Sequence, residues 1–219
     1  MTRAGAVLIF AMSAALFACG SAETMSVVPP PTSWSQQLTL ERRQKDADFA
    51  SDPDSPIPQK RRAEFRGLAY FPADPTWRYA GWVERYPVAE KLDVATTSGK
   101  ARPCERWGRV TFLREGRALT LQVYRLLDLP ERPGGSGLFL PFKDATTGKD
   151  TYPAGRYVDL DGPDGGPFVL DFNRAYNPSC AYGEPERFQC PVTPPENALA
   201  IAVTAGERGP ARAPEETPR

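Results

Sequence analysis

Short segments that alternate apolar and polar residues follow one another from Gly67 to Thr204, with no helical pattern between them. Such alternation is typical of strands with one buried face, and turn residues separate the segments at hairpin intervals. The clearest pair is Gly108–Arg114 and Ala118–Leu127, joined by the turn Glu115-Gly116-Arg117. The pattern predicts a mainly β domain, either an antiparallel sandwich or a partly closed barrel.

The other predicted strands are short and are bounded by turn residues. They are Leu68–Phe71, Trp77–Arg85, Lys91–Thr96, Leu138–Phe142, Arg156–Leu160, Phe168–Phe172 and Leu199–Thr204. The 24 prolines and 18 glycines of the 219 residues agree with short strands linked by turns. One N-terminal helix is predicted over Trp34–Ala50, where Ser33 and Gln36 have the spacing of a capping box.

The first residues have the pattern of an export signal. Arg3 supplies a positive charge, and Ala4–Ala15 is an apolar run too short to span a bilayer comfortably. The run ends in Leu16-Phe17-Ala18-Cys19, which resembles a bacterial lipobox, although Phe17 departs from the small residue usual there. The resemblance predicts a signal peptide over residues 1–18 and a lipid on Cys19. An ordinary secretory signal cut after Ala22 is the alternative.

Both alternatives predict a protein outside the cytoplasm. Gly20 follows Cys19, where an aspartate would be the usual signal for retention in the inner membrane. We therefore expect a lipid-anchored protein of the bacterial cell envelope, in the outer membrane and facing the periplasm; the alternative is a soluble periplasmic or secreted protein. The remaining boundaries are a tether at 19–33, one domain at 34–207 and a disordered tail at 208–219.

Cys104, Cys180 and Cys190 follow the signal segment. An oxidising compartment predicts one disulfide and one cysteine left over. The pair Cys180–Cys190 closes a loop of about ten residues, which stabilises the fold by roughly 2.5–3 kcal/mol in the chain-entropy account. Cys104 is an alternative partner. A zinc site of all three lacks a close Cys-x-x-Cys spacing, so no metal is predicted.

Charge and composition exclude several kinds of function. Lys plus Arg equals Asp plus Glu, 27 against 27, so no basic field attracts nucleic acid. Histidine is absent, which excludes Ser-His-Asp triads, Cys-His pairs and imidazole-ligated metals. An acid or base here has to be a carboxylate, lysine or tyrosine, and no cofactor is predicted.

Polar side chains that can hydrogen-bond concentrate between Asp144 and Tyr182. The candidates for a ligand pocket or a structural polar network are Asp144, Tyr152, Arg156, Asp171, Asn173, Tyr176 and Asn177. We expect four of them to converge on one side of the sheet: Arg156, Asp171, Asn173 and Asn177. If the register of a hairpin between the two strands of this stretch allows it, the guanidinium of Arg156 binds the carboxylate of Asp171.

Carboxylates in the same part of the chain suggest two further chemistries. Asp144, Asp171 and Glu207 can supply an acid–base pair for hydrolysis if two of them lie close together. The acidic turn Asp159–Gly166 suggests calcium, but its spacing does not match an EF-hand loop, and a turn between strands explains the same residues.

Several motifs follow in the order of a known family. They are SPIP, FRGLAYFP, PFKDATTGKDTYPAGRYVDL, DFNRAYNPSCAY, Cys190-Pro191, Glu196-Asn197 and Ala205-Gly206-Glu207. In this order they resemble the bacterial domain-of-unknown-function family 1684 over about 34–207. The segment after Cys190 is stretched relative to the family pattern. The resemblance implies a β-rich domain, often exported, with no established activity.

Three functional hypotheses follow. The first is a non-catalytic envelope lipoprotein whose domain binds a small ligand or an envelope protein. The second, of a different class, is a carboxylate-dependent hydrolase in the envelope. The third is a purely structural lipoprotein. Exposure of Arg156, Asp171 and Asn177 in one pocket would favour binding or catalysis, whereas their full burial would favour structure.

Overall fold

The computed structural model describes residues 24–129, 137–160 and 167–210. Within them lie eight strands and three helices, in this order: β1 Thr24–Val27, α1 Trp34–Ser51, α2 Gln59–Arg62, β2 Arg78–Gly81, β3 Glu84–Ala95, β4 Ala101–Arg114, β5 Arg117–Leu126, β6 Leu138–Phe142, β7 Arg156–Leu160, β8 Phe168–Asp171 and α3 Pro185–Phe188. The predicted N-terminal helix is confirmed, and so are most of the predicted strands.

The strands form one sheet in the order β7-β6-β5-β4-β1-β2-β8, and β3 also pairs with β4. The two end strands, β7 and β8, approach each other, so that the sheet nearly closes into a barrel. The prediction of a mainly β fold with a partly closed barrel is confirmed. The purely antiparallel arrangement is wrong at one place, because β1 runs parallel to β4.

The hairpin of β4 and β5 is the longest paired unit and follows the predicted turn. Arg114 pairs with Arg117, which leaves Glu115 and Gly116 as a two-residue loop, both with positive φ (51° and 75°). Turns of this kind match the twist of the strands and favour glycine. The alternation of the two strands then directs Leu121 and Val123 into the core.

Aromatic rings fill the barrel. Phe172 lies at their centre, with ring centroids 5.2 Å from Phe142, 5.5 Å from Phe112 and 5.7 Å from Trp77. Several of these contacts are edge-to-face, the arrangement that aromatic quadrupoles prefer. Phe172 directly follows β8, so this packing also positions the polar residues on either side of it.

The predicted tether at 19–33 is wrong in part, because Thr24–Val27 within it forms strand β1. Met25 is buried, and Thr24–Val27 pairs with both β2 and β4. A β-carbon on Gly81 would lie 2.9 Å from Met25 Cγ, so the close approach of the two strands requires glycine there. The small polar segment was misjudged because one buried methionine is too short a pattern to indicate a strand.

Helix α1 packs on the outside of the sheet through Trp34 and Leu38. The predicted capping box does not form: Ser33 adopts a helical conformation, and its side chain makes no capping hydrogen bond. Among the described residues no helix is both long and apolar enough to cross a membrane.

Two further predictions are wrong. The segment Leu199–Thr204 is not a strand, because its backbone bonds to side chains and to the loop at Lys143 instead of to a neighbouring strand. The segment Leu68–Phe71 makes only the single bridge of Tyr70 to Glu207. The tail predicted at 208–219 is wrong at its first two residues, since the amides of Arg208 and Gly209 bond to the domain; residues 211–219 lie outside the described ranges.

Candidate functional site

Arg156 and Asp144 form an ion pair that is sealed from solvent. Arg156 projects from β7, and its Nη2 lies 3.1 Å from Asp144 Oδ2, with both side chains at most 1% exposed. The guanidinium also donates to the carbonyl oxygens of Val203 (2.8 Å), Ala205 (2.5 Å) and Glu207 (3.0 Å). The pair therefore holds the irregular C-terminal segment against β7.

The Asp144 carboxylate is as fully occupied as the guanidinium. Its Oδ2 also accepts the amide of Val203 at 2.7 Å, and its Oδ1 accepts both the amide and the hydroxyl of Thr146. Burial lowers the pKa of Arg156, and the neighbouring Asp144 opposes this shift. A carboxylate with no free lone pair and no path to solvent is suited to structure and not to proton transfer.

Asp171, at the end of β8, lies in a second network. Its Oδ2 accepts Trp34 Nε1 at 2.8 Å, Arg78 Nε at 3.1 Å and Arg174 Nη1 at 2.6 Å. Its Oδ1 accepts the amide of Asn173 at 3.0 Å. The carboxylate thus joins α1, β2 and the turn that follows β8.

The predicted ion pair between Arg156 and Asp171 is wrong. The predicted convergence of these two side chains with Asn173 and Asn177 on one side of the sheet is therefore wrong as well. The strands of Arg156 and Asp171 do not form a hairpin: β7 pairs with β6, and β8 pairs with β2, at opposite ends of the strand order. Each of the two therefore finds its own partners. The turn predicted between them falls largely on residues 161–166, outside the described ranges, and so does most of the suggested calcium loop.

Asn173 and Asn177 are buried and hold loops in place. The Asn173 amide group exchanges two hydrogen bonds of 2.8 Å with the backbone of Asp74. Asn177 donates its backbone amide to Glu207 Oε2 at 2.8 Å, and Tyr182 donates its hydroxyl to the same oxygen at 2.9 Å. Burial, followed by the charge of Glu207, raises the pKa of Tyr182. Asn177, Tyr182 and Glu207 form a third polar network, whereas Asn173 belongs to the network of Asp171.

The two remaining tyrosine candidates have separate environments. Tyr176 donates its hydroxyl to Asp159 at 2.7 Å, and its ring faces the ammonium of Lys45 at 4.8 Å. Tyr152 is partly buried, and burial raises its pKa, but it does not line the cleft to which Tyr176 belongs.

A cleft of about 170 Å³ lies between α1 and the segment that follows β8. It is lined by Leu38, Glu41, Arg42, Lys45, Tyr70, Asn173, Arg174, Ala175, Tyr176 and Glu207. Only Asn173 and Tyr176 of the seven candidates reach it, together with Glu207 from the suggested carboxylates. We refer to it as the α1 cleft.

Arg42 and Tyr70 were not predicted as site residues, yet they are the polar side chains of the cleft with unused donors. Arg42 Nε and the Tyr70 hydroxyl are buried and have no hydrogen-bond partner in the described part of the chain. The remaining guanidinium nitrogens make only long bonds to the carbonyls of Phe71 (3.5 Å) and Asn173 (3.3 Å). The guanidinium carbon lies 4.2 Å from the Tyr70 ring centroid, a cation–π contact.

The sequence contained a signal for this cleft. Leu38, Arg42 and Lys45 recur at i, i+4 and i+7 and so share one side of a helix. Nothing in this spacing shows what packs opposite the helix, so the cleft itself could not be predicted from it.

The disulfide between Cys180 and Cys190 is confirmed. Cys104 is free and buried in β4, and burial raises the pKa of its thiol to about 12, so it is a poor nucleophile. The zinc site of three cysteines does not form. No cluster of acidic or cysteine side chains able to hold a metal occurs within 24–129, 137–160 and 167–210.

Solved structures of known proteins match this chain. The chain is similar to the uncharacterized protein from gene locus rrnAC0354 of Haloarcula marismortui, solved by solution NMR, with 37% sequence identity and a TM-score of 0.61. The match covers 80% of this chain and 94% of that one. No curated protein matches.

A family model extends the same relationship over most of the β domain. The model of "Protein of unknown function (DUF1684)" matches residues 63–208, from the end of α2 to just beyond Glu207. This range contains β2 to β8 and the residues of all three polar networks except those contributed by α1. The chain therefore belongs to the DUF1684 family.

Proposed function

We propose that this protein is a lipid-anchored domain of the cell envelope that binds a small ligand in the α1 cleft and catalyses no reaction. The proposed anchor is Cys19, in the lipobox-like segment. The Cys180–Cys190 disulfide supports an oxidising compartment, since such bonds are rare in the cytosol.

The proposal that the protein is not an enzyme rests on the burial and pairing of the three candidate carboxylates. Asp144, Asp171 and Glu207 are each at most 8% exposed as residues, and each is paired with a cation and held by further donors. Each also lies in a network that joins separate segments of the chain. The carboxylate-dependent hydrolase is accordingly the less supported alternative, because a general acid or base must reach its substrate.

The binding part rests on the unused donors of the α1 cleft. An acceptor group that enters beside Arg42 can bond the guanidinium and the Tyr70 hydroxyl, which burial otherwise leaves unsatisfied at a cost. Leu38, Ala175 and the ring of Tyr176 supply apolar contact. A small carboxylate with an apolar body fits this combination.

The anchor is tested by mass spectrometry of the protein extracted from membranes. We expect a diacyl or triacyl chain on Cys19 as the mature N-terminus, and loss of membrane association in Cys19→Ser. A mature N-terminus at Glu23 would contradict the proposal.

The cleft is tested by NMR titration with benzoate, which carries a carboxylate on an apolar ring. We expect the amide signals of Tyr70, Ala175 and Tyr176 to shift in a saturable manner, with affinity at least tenfold weaker in Arg42→Met. Arg43→Met is the matched control, since Arg43 is exposed on another side of the same helix. Equal binding by wild type and Arg42→Met, or shifts at other residues only, would contradict the cleft assignment.

A further inference from the structure

The outer surface of β1, β2 and β8 is covered at one end and bare at the other. Register places Arg78 opposite Asp171, and Ala80 opposite both Val169 and Ser26. Trp34 of α1 covers the first end through its bond to Asp171. Neither Trp34 nor the described elements in contact with it cover the second end, and Val169 there is 43% exposed.

The bare end carries no charge. Because alternate residues of a strand share a face, the outward residues of the three strands follow from the register. Within the strands they are Thr24, Ser26, Ala80 and Val169, and the exposed Trp82 and Pro167 continue the alternation one residue beyond β2 and before β8; we call this set the β1 patch. All six outward positions are therefore neutral, although a quarter of the residues of the chain are charged.

Trp82 is the largest member of the β1 patch. It directly follows β2 and is 43% exposed, whereas Trp34, Trp77 and Trp107 are buried. Gly81 packs against Met25, so Trp82 lies level with Thr24, the first described residue. A half-exposed indole beside the first described residue has the amphipathic character of side chains that sit at a membrane–water interface.

Distance along the chain connects this patch to the proposed anchor. Cys19 precedes Thr24 by five residues, which span at most about 18 Å when fully extended. A lipid on Cys19 therefore keeps the Thr24 end of β1, and Trp82 beside it, within that distance of the bilayer surface.

We propose that the β1 patch is a membrane-contact surface, with Trp82 inserted among the lipid headgroups next to the Cys19 anchor. This inference rests on the lipid anchor of the proposed function. The contact orients the barrel on the bilayer, with the opposite end of the same strands, the one that α1 covers, held farther from the lipid. Since the patch is uncharged, the contact does not depend on anionic lipid.

The experiment uses the full-length lipidated protein in phosphatidylcholine vesicles, with and without bromine on the acyl chains near the headgroup. Because the other three tryptophans are buried, quenching reports Trp82. We expect quenching by brominated lipid that is unchanged when a third of the lipid is phosphatidylglycerol. It should disappear in Trp82→Phe and fall at least twofold in Val169→Glu. Leu40→Glu is the matched control, because Leu40 is exposed on α1, at the end held farther from the lipid.

The outcomes separate the inference from its premise. Mass spectrometry of the same sample reports Cys19. If Cys19 is lipidated and Trp82 is not quenched, the membrane contact is wrong while the anchor stands. If Cys19 is unmodified, the anchor is wrong, and the membrane contact falls with it. A different result would assign the patch to a second copy of the chain and overturn the proposal. In that case analytical ultracentrifugation in detergent shows a dimer, Trp82 in the dimer is shielded from acrylamide, and Val169→Glu abolishes both effects.

Discussion

The networks of Asp144 and Asp171 contain the same chemical groups but differ in what surrounds them. Asp144 and Arg156 are enclosed on every side, and most partners of Arg156 are backbone carbonyls of 203–207. Asp171 binds side chains from other elements, among them Trp34 of α1. One of its partners, Arg174, is 36% exposed and lines the α1 cleft.

The difference indicates two separate roles for buried charge. The Asp144 network holds Leu199–Thr204, which lacks strand pairing, against β7. The Asp171 network attaches α1, through Trp34, to the paired strands β2 and β8. Loss of the first should affect the whole fold, whereas loss of the second should affect mainly α1 and the cleft beneath it.

The comparison predicts the largest effect for Arg156→Met. The substitution leaves Asp144 buried without its cation and three carbonyls without a donor, so we expect about 3–5 kcal/mol lower free energy of unfolding. Urea denaturation measures it. Arg208→Met is the control, since its ion pair with Asp150 is about half exposed and is worth about 0.5 kcal/mol or less. A loss below about 1 kcal/mol in Arg156→Met would remove the distinction between the networks.

An intermediate effect is expected for Asp171→Asn. Arg174 keeps Glu41 and solvent as partners, but Arg78 stays buried without its carboxylate, so we expect a loss of about 2–3 kcal/mol. Thermal denaturation followed by circular dichroism measures it, with the exposed Asp150→Asn as the matched change. An unaltered melting temperature would instead favour a functional role for Asp171.

The smallest effect is expected for Trp34→Phe. The ring still fills the site, while one hydrogen bond to a buried charge is lost, so we expect about 1–2 kcal/mol. Proteolysis within α1 should accelerate before the β-domain is cleaved. If α1 and the sheet are cleaved together, the helix is not an independently attached element.

The parts of the fold that were predictable have local signals. The β4–β5 hairpin follows from alternation and from Gly116 in its turn, and the buried residues of α1, Trp34 and Leu38, are four residues apart, as in one helical turn. Leu199–Thr204 has the same alternation as a strand but lies where its backbone meets Arg156 and Asp144, which no local pattern shows.

The site was predictable as a set of residues but not as a set of contacts. The residues Asp144, Arg156, Asp171 and Asn177 are indeed buried polar groups, yet their partners depend on strand order. Pairing of β7 with β6 and of β8 with β2 separates Arg156 from Asp171. Arg42 and Tyr70 were missed because their proximity depends on how α1 docks against a segment almost thirty residues later.

Native-state hydrogen exchange of the unmodified protein compares the two networks most directly. The amide of Val203 donates to Asp144, and the amide of Asn173 donates to Asp171. We predict that Val203 exchanges only through global unfolding, with the full denaturant dependence. Asn173 should exchange through a smaller opening at least about 1.4 kcal/mol lower in free energy, hence at least tenfold faster. Equal opening free energies and equal denaturant slopes for the two amides would contradict the account.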